Sequence, residues 1–155
     1  MKQNATLYNI MLPIWFIFFF PTQLWLLILP ANFLVDLLVV SITKRVRHVE
    51  VPRPLWYASI FKVWVFGFVA DFIGAGVVLL LELLFGNYLN LDTAHFPGLT
   101  LISIPGVIVA GVLIYVFNRY VSYRRCGLDQ TDVKALALAL AITTAPYTML
   151  IPVML

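Results

Sequence analysis

Four apolar runs, 22–43, 55–85, 99–122 and 132–153, fill most of this 155-residue chain. Each meets or exceeds the roughly 20 residues a helix needs to cross about 30 Å of hydrocarbon. Hydrophobic residues make up 63% of the chain and charged residues 11%. Soluble domains carry about 45–50% and about 25% respectively. A chain this short leaves much of its surface in water, so that composition excludes a soluble enzyme, a disordered tail and a disulfide scaffold. The expected fold is an all-α integral membrane protein of one domain. It is a bundle of four transmembrane helices plus an N-terminal interfacial or re-entrant helix over residues 7–20. That first stretch reaches only about 21 Å as a helix. Pro13 and Pro21 disturb it, and Trp15 and Trp25 suit a headgroup position. Strand-like alternation is absent apart from Leu136–Ala141, and Leu and Ala favour helix.

The second run would extend about 46 Å as one helix. It has to tilt, emerge from the membrane or break, and Gly74-Ala75-Gly76 is its weak point. In the fourth run, Thr143-Thr144-Ala145-Pro146 is the best site for a kink, because hydroxyls can satisfy the carbonyls that a proline frees.

Charge sets the expected orientation. Lys44, Arg45, Arg47 and Arg53 lie between the first two runs, and Arg119, Arg124, Arg125 and Lys134 around the last connection. Segment 86–98 has no Lys or Arg. The positive-inside rule then places loops 44–54 and 123–131 in the cytoplasm and loop 86–98 outside, in a plasma or inner membrane. The net charge of +3 therefore reads as topology and not as nucleic-acid binding. Lys44, Arg45, Arg47, Arg53, Arg124 and Arg125 are also candidates for anionic lipid headgroups. Residues 118–125, Asn-Arg-Tyr-Val-Ser-Tyr-Arg-Arg, resemble the Asn-Arg-aromatic segment that ends helices in GtrA-like membrane proteins, a family linked to moving lipid-carried sugars. The likeness covers those eight residues. The proline-rich start and the long second run depart from that pattern.

Ionisable groups inside a span are costly and mark functional candidates. Asp36 and Asp71 lie well inside their runs, and Glu82 lies near an end. Gly67, Asp71, Gly74 and Ala75 share one helical face, and Glu82 returns to it. Small residues allow close helix approach in lipid, and Gly106, Ala110 and Gly111, then Asn118, form a matching stripe in the third run. Gly67, Gly74, Gly76, Gly106, Ala110 and Gly111 are therefore the expected packing positions. Asn32 and Asp36, four apart, share a face of the first run. These faces are expected to meet in a polar cluster of Asn32, Asp36, Asp71 and Asn118, with Lys62 or Arg119 pairing with Asp36.

Signals for catalysis, metals and cofactors are absent. Cys126 is the only cysteine, so no intrachain disulfide or cysteine-based metal site can form. It reads as a free thiol or, less simply, a palmitoylation site. His48 and His95 fall on opposite sides of the expected topology, so they cannot share a metal. The chain has no glycine-rich phosphate loop and no His-Glu-x-x-His motif. Its serines lack a histidine at matching depth. Asp71 precedes its glycines, the reverse of the Gly-x-Gly-Asp order of intramembrane aspartyl proteases. The leading expectation is a non-enzymatic multi-pass protein acting as a homo-oligomer or as a subunit of a larger membrane complex. The second is a small ion- or proton-coupled transporter or channel using Asp36 and Asp71. The third is a lipid-binding or lipid-translocating protein.

Overall fold

A computed structural model describes residues 25–50, 53–85 and 98–150. The expected N-terminal helix over 7–20 and most of the 86–98 loop lie outside the described residues. Most of the described residues are helical, and no strand occurs among them. Helix α1 spans Trp25–Val46, α2 Arg53–Phe85, α3 Gly98–Phe117 and α4 Gln130–Thr143. A π-helical turn, Asn118–Ser122, extends α3, and a 3-10 turn, Tyr147–Leu150, follows α4. Four segments are long and apolar enough to cross a membrane: Leu26–Val46, Trp56–Phe85, Leu101–Ser122 and Gln130–Leu150. Each helix carries large exposed apolar side chains, among them Leu34, Ile73, Ile108 and Leu138. Apolar exposure of that extent is the surface a lipid environment requires and water penalises.

Helix α2 runs without interruption through Gly74–Gly76, so the expected weak point does not end it. Gly74 serves packing instead. A Cβ there would lie 2.7 Å from the Gly106 carbonyl oxygen and 2.9 Å from the Ala110 Cβ. A Cβ on Gly106 would strike Val78 Cγ2 and lie 2.7 Å from the Gly74 carbonyl oxygen. The α2 and α3 backbones touch at these two glycines, and this pair of helices makes the most extensive contact in the bundle. Pro105 lies inside α3. Core side chains fall in two groups. Val40, Val63, Ile114, Leu136 and Leu140 join all four helices at one end, and Val78, Ile102, Val107 and Met149 pack towards the other.

The ends of the helices follow local chemistry. Helix α1 closes with Val49 N donating to Lys44 O at 3.0 Å and His48 N to Arg45 O at 3.4 Å, a Schellman pattern. The left-handed position falls on His48, with φ of 53°, where glycine is the usual residue. His48→Gly is expected to raise stability by about 1 kcal/mol, since a Cβ in that conformation costs about 1–2 kcal/mol and the freer unfolded chain offsets part of the gain. A thermal melt of the detergent-solubilised chain measures it, and a lower midpoint for the variant would rule out this cap.

Helix α4 begins at an Asp129 cap whose side chain accepts from Thr131 N at 3.3 Å. Hydrogen bonds from Thr131, side chain and then backbone, together with one from the Gln130 backbone, hold the Asp129 carboxyl below its ordinary range. The group binds its proton more weakly folded than unfolded, so its contribution is present above the unfolded value and lost as pH falls through the folded one. Asp129→Asn keeps a capping oxygen but cannot titrate. The acid-side fall in melting temperature below about pH 4 is therefore expected to be shallower in that variant. Identical pH profiles would show that the cap carries no linkage. Beside this cap, Arg47 Nε and Nη2 both reach Asp132 Oδ1, at 3.2 and 3.0 Å, tying the end of α1 to the start of α4.

Candidate functional site

Helix α4 stops where its sequence forces it to. Pro146 has no N–H and its ring crowds the carbonyl four residues back. That carbonyl, on Ile142, accepts instead from the Tyr147 hydroxyl at 2.6 Å. Thr143 Oγ1 donates to Ala139 O at 2.6 Å and Thr144 Oγ1 to Leu140 O at 2.8 Å. The chain thus leaves helical geometry at residues 144–146 with the Ile142 carbonyl satisfied by a side chain and the Leu140 carbonyl shared between the Thr144 amide and hydroxyl.

This unwound segment faces a cavity of about 430 Å³ between α1, α2 and the end of α4. Its lining includes the polar side chains of Asn32 and Asp36 from α1, Asp71 from α2, and Thr143 and Thr144, with Gly67 beside them. Asp36 is 7% exposed and Asp71 6%. Gly67 faces α1: a Cβ there would make ordinary van der Waals contact, 3.7 Å from Asp36 Oδ2. Asp71 lies one turn further along the same helix, so the two carboxyl groups come to the same hollow. Asp71 Oδ1 is buried without a hydrogen-bond partner. A buried polar atom left unpaired costs roughly 1–3 kcal/mol, so this oxygen calls for a proton, a water or a ligand.

Neither expected counter-ion reaches Asp36. Lys62 is half-buried, and among the described residues it makes no ion pair with Asp36. Arg119 Nη1 donates to the Tyr115 hydroxyl at 2.8 Å, and the guanidinium lies over the Tyr115 and Tyr120 rings. The tyrosines one turn back and next door thus engage the guanidinium, and its Nε is buried without a hydrogen-bond partner. Asn118 is fully buried but outside the cavity. Its Nδ2 donates to Ile114 O at 2.8 Å, competing for the carbonyl that the Asn118 amide would use and accompanying the π-helical turn that starts there.

The glycine positions divide among neighbours. Gly67 meets α1, Gly74 and Gly106 meet each other, and Ala110 is fully buried beside Gly74. A Cβ on Gly111 would approach Ala141 and Ala145 instead. Gly76 has nothing within 4 Å and is no packing contact among the described residues. The basic residues divide as well. Lys44 lies 4.5 Å over the Trp56 ring, Arg47 is engaged by Asp132, and Arg45, Arg124 and Arg125 are exposed. Arg53 opens α2. Cys126 is a buried free thiol with Ser59 Oγ 2.7 Å from its sulfur, a packed position poorly suited to lipidation. Sequence reasoning missed Trp64, Phe68 and Tyr147, which also line the cavity. An aromatic within an apolar run carries no pattern that separates a cavity wall from a lipid-facing side chain. No known protein family, curated protein or solved structure matches this chain.

Proposed function

We propose that the chain is an integral membrane protein, with loops 44–54 and 123–131 cytoplasmic and loop 86–98 outside, that carries a proton or cation through the cavity of Asp36 and Asp71. The observation that supports this reading most is the placement of two carboxylates in one hollow, facing an unwound segment, with neither neighbouring base paired to Asp36. Broken helices beside intramembrane carboxylates are how many transporters hold an ion near the bilayer midplane. A carboxyl that exchanges a bound proton for a bound cation never leaves a bare charge in an apolar site.

Asp71 Oδ1 is one of six buried side-chain atoms without a hydrogen-bond partner among the described residues, and alone among them it belongs to a residue that lines the cavity. The lipid-handling reading keeps Arg45, Arg124 and Arg125, which are exposed, but loses Arg47 to Asp132 and gives no role to the two buried carboxyls. Four helices enclose little space, so the hollow acts as a carrier site within one protomer and not as an open pore.

Proteoliposomes containing a pH-sensitive dye test the proposal. An imposed cation gradient is expected to drive counter-movement of protons with the wild-type chain. The double variant Asp36→Asn/Asp71→Asn is expected to fall to the rate of empty liposomes. Equal proton movement in the wild type and the double variant would refute the site.

A further inference from the structure

The cavity's remaining walls bear on what it carries. Ile28, Val35, Trp64, Phe68 and Tyr147 make much of the lining apolar or aromatic. Trp64 is fixed in place: its Nε1 donates to Leu29 O at 3.1 Å, and its ring meets Phe33 and Phe68 edge-on at 5.9 and 5.6 Å. A divalent metal ion is poorly served here. Calcium takes about 6–8 oxygen ligands and magnesium demands an octahedron. Among the described residues no three His, Cys, Asp or Glu side chains gather to hold a metal. A cation with its own apolar shell suits these walls better, because aromatic rings attract quaternary ammonium groups and cost them little desolvation. A volume of about 430 Å³ also falls in the range of roughly 300–1,000 Å³ that accommodates small organic ligands. The buried, unpaired Asp71 Oδ1 is an anchor for the charge.

We infer that the cavity binds a monovalent organic cation, a quaternary or hindered ammonium, with its charge between Asp36 and Asp71 and its apolar groups against Trp64 and Phe68. This rests on the carrier reading of the same site. On binding, one carboxyl loses its proton to solvent and pairs with the cation, while the other keeps its proton, so the net charge of the cavity does not change.

The test is calorimetric titration of the full chain in detergent with benzyltrimethylammonium. Saturable binding is expected, weakened roughly tenfold or more by Asp71→Asn and by Trp64→Leu. Trp64→Phe retains a ring and is expected to retain binding, which guards against loss of fold in the leucine variant. Neither sodium nor neopentylbenzene, the neutral isostere of the probe, should compete. Binding that survives Asp71→Asn, or that sodium displaces, overturns the inference. If benzyltrimethylammonium does not bind while proton movement in liposomes still depends on the carboxylates, the organic-cation inference fails and the carrier reading stands. If both are absent, both fail.

Discussion

Gly106→Leu is expected to break the α2–α3 seam, lowering the melting temperature of the detergent-solubilised chain by roughly 6–12 °C. The obstacle is backbone. Even a Cβ at residue 106 would meet Val78 Cγ2 and the Gly74 carbonyl oxygen. Side chains can rotate away from an intruder, but a carbonyl inside a helix cannot. Overpacking costs about 1–3 kcal/mol where neighbours adjust, and a leucine here forces two helices apart, so the upper end applies. Gly76→Leu is the matched control. It has open space around it and gains helix propensity, so its midpoint should stay within about 2 °C of wild type. Equal melting of the two variants would mean that the helices do not cross at Gly74 and Gly106.

Asp71→Asn should separate function from fold. The amide matches the carboxyl in shape, exchanges one oxygen for an NH2 donor, and can neither release a proton nor pair with a cation as a charge. A hydrogen bond or ion pair to a charged group in a dry site is worth about 1.5–3 kcal/mol. Proton-coupled movement in liposomes is therefore expected to fall about tenfold to hundredfold, with stability changed by less than about 1 kcal/mol, within the effect of an ordinary substitution. Asp132→Asn should do the reverse. It weakens the partly exposed Arg47 contact, worth at most about 1 kcal/mol, and leaves movement unchanged. A structural role for Asp71 predicts that stability and movement fall together.

Much of the architecture was legible because it follows from length and composition. The apolar runs mark the helices to within a few residues, and Pro146 with its preceding threonines marks the break in α4. Asn32 and Asp36, one turn apart, place a polar face on α1 that does turn towards Asp71. What the sequence hides is which neighbour each face meets. Gly67 and Gly74 read as one stripe, yet Gly67 receives α1 and Gly74 receives α3, because α2 is contacted from two sides. Arg119 looked like a partner for Asp36 on depth alone, but tyrosines at positions 115 and 120 hold it. The walls formed by Trp64, Phe68 and Tyr147 emerge only when the chain is folded, since three segments far apart in sequence build one hollow.

Carbodiimide labelling tests that hollow most directly. Dicyclohexylcarbodiimide is apolar and reacts with protonated carboxyls that water does not flood. Incubated with the full chain in membranes and mapped by mass spectrometry, it is expected to modify Asp36 or Asp71, and benzyltrimethylammonium is expected to protect them. Asp129 and Asp132, at the start of α4, should remain unlabelled. Labelling confined to Asp129 and Asp132, with neither Asp36 nor Asp71 modified, would contradict a shared carboxylate cavity within the bundle.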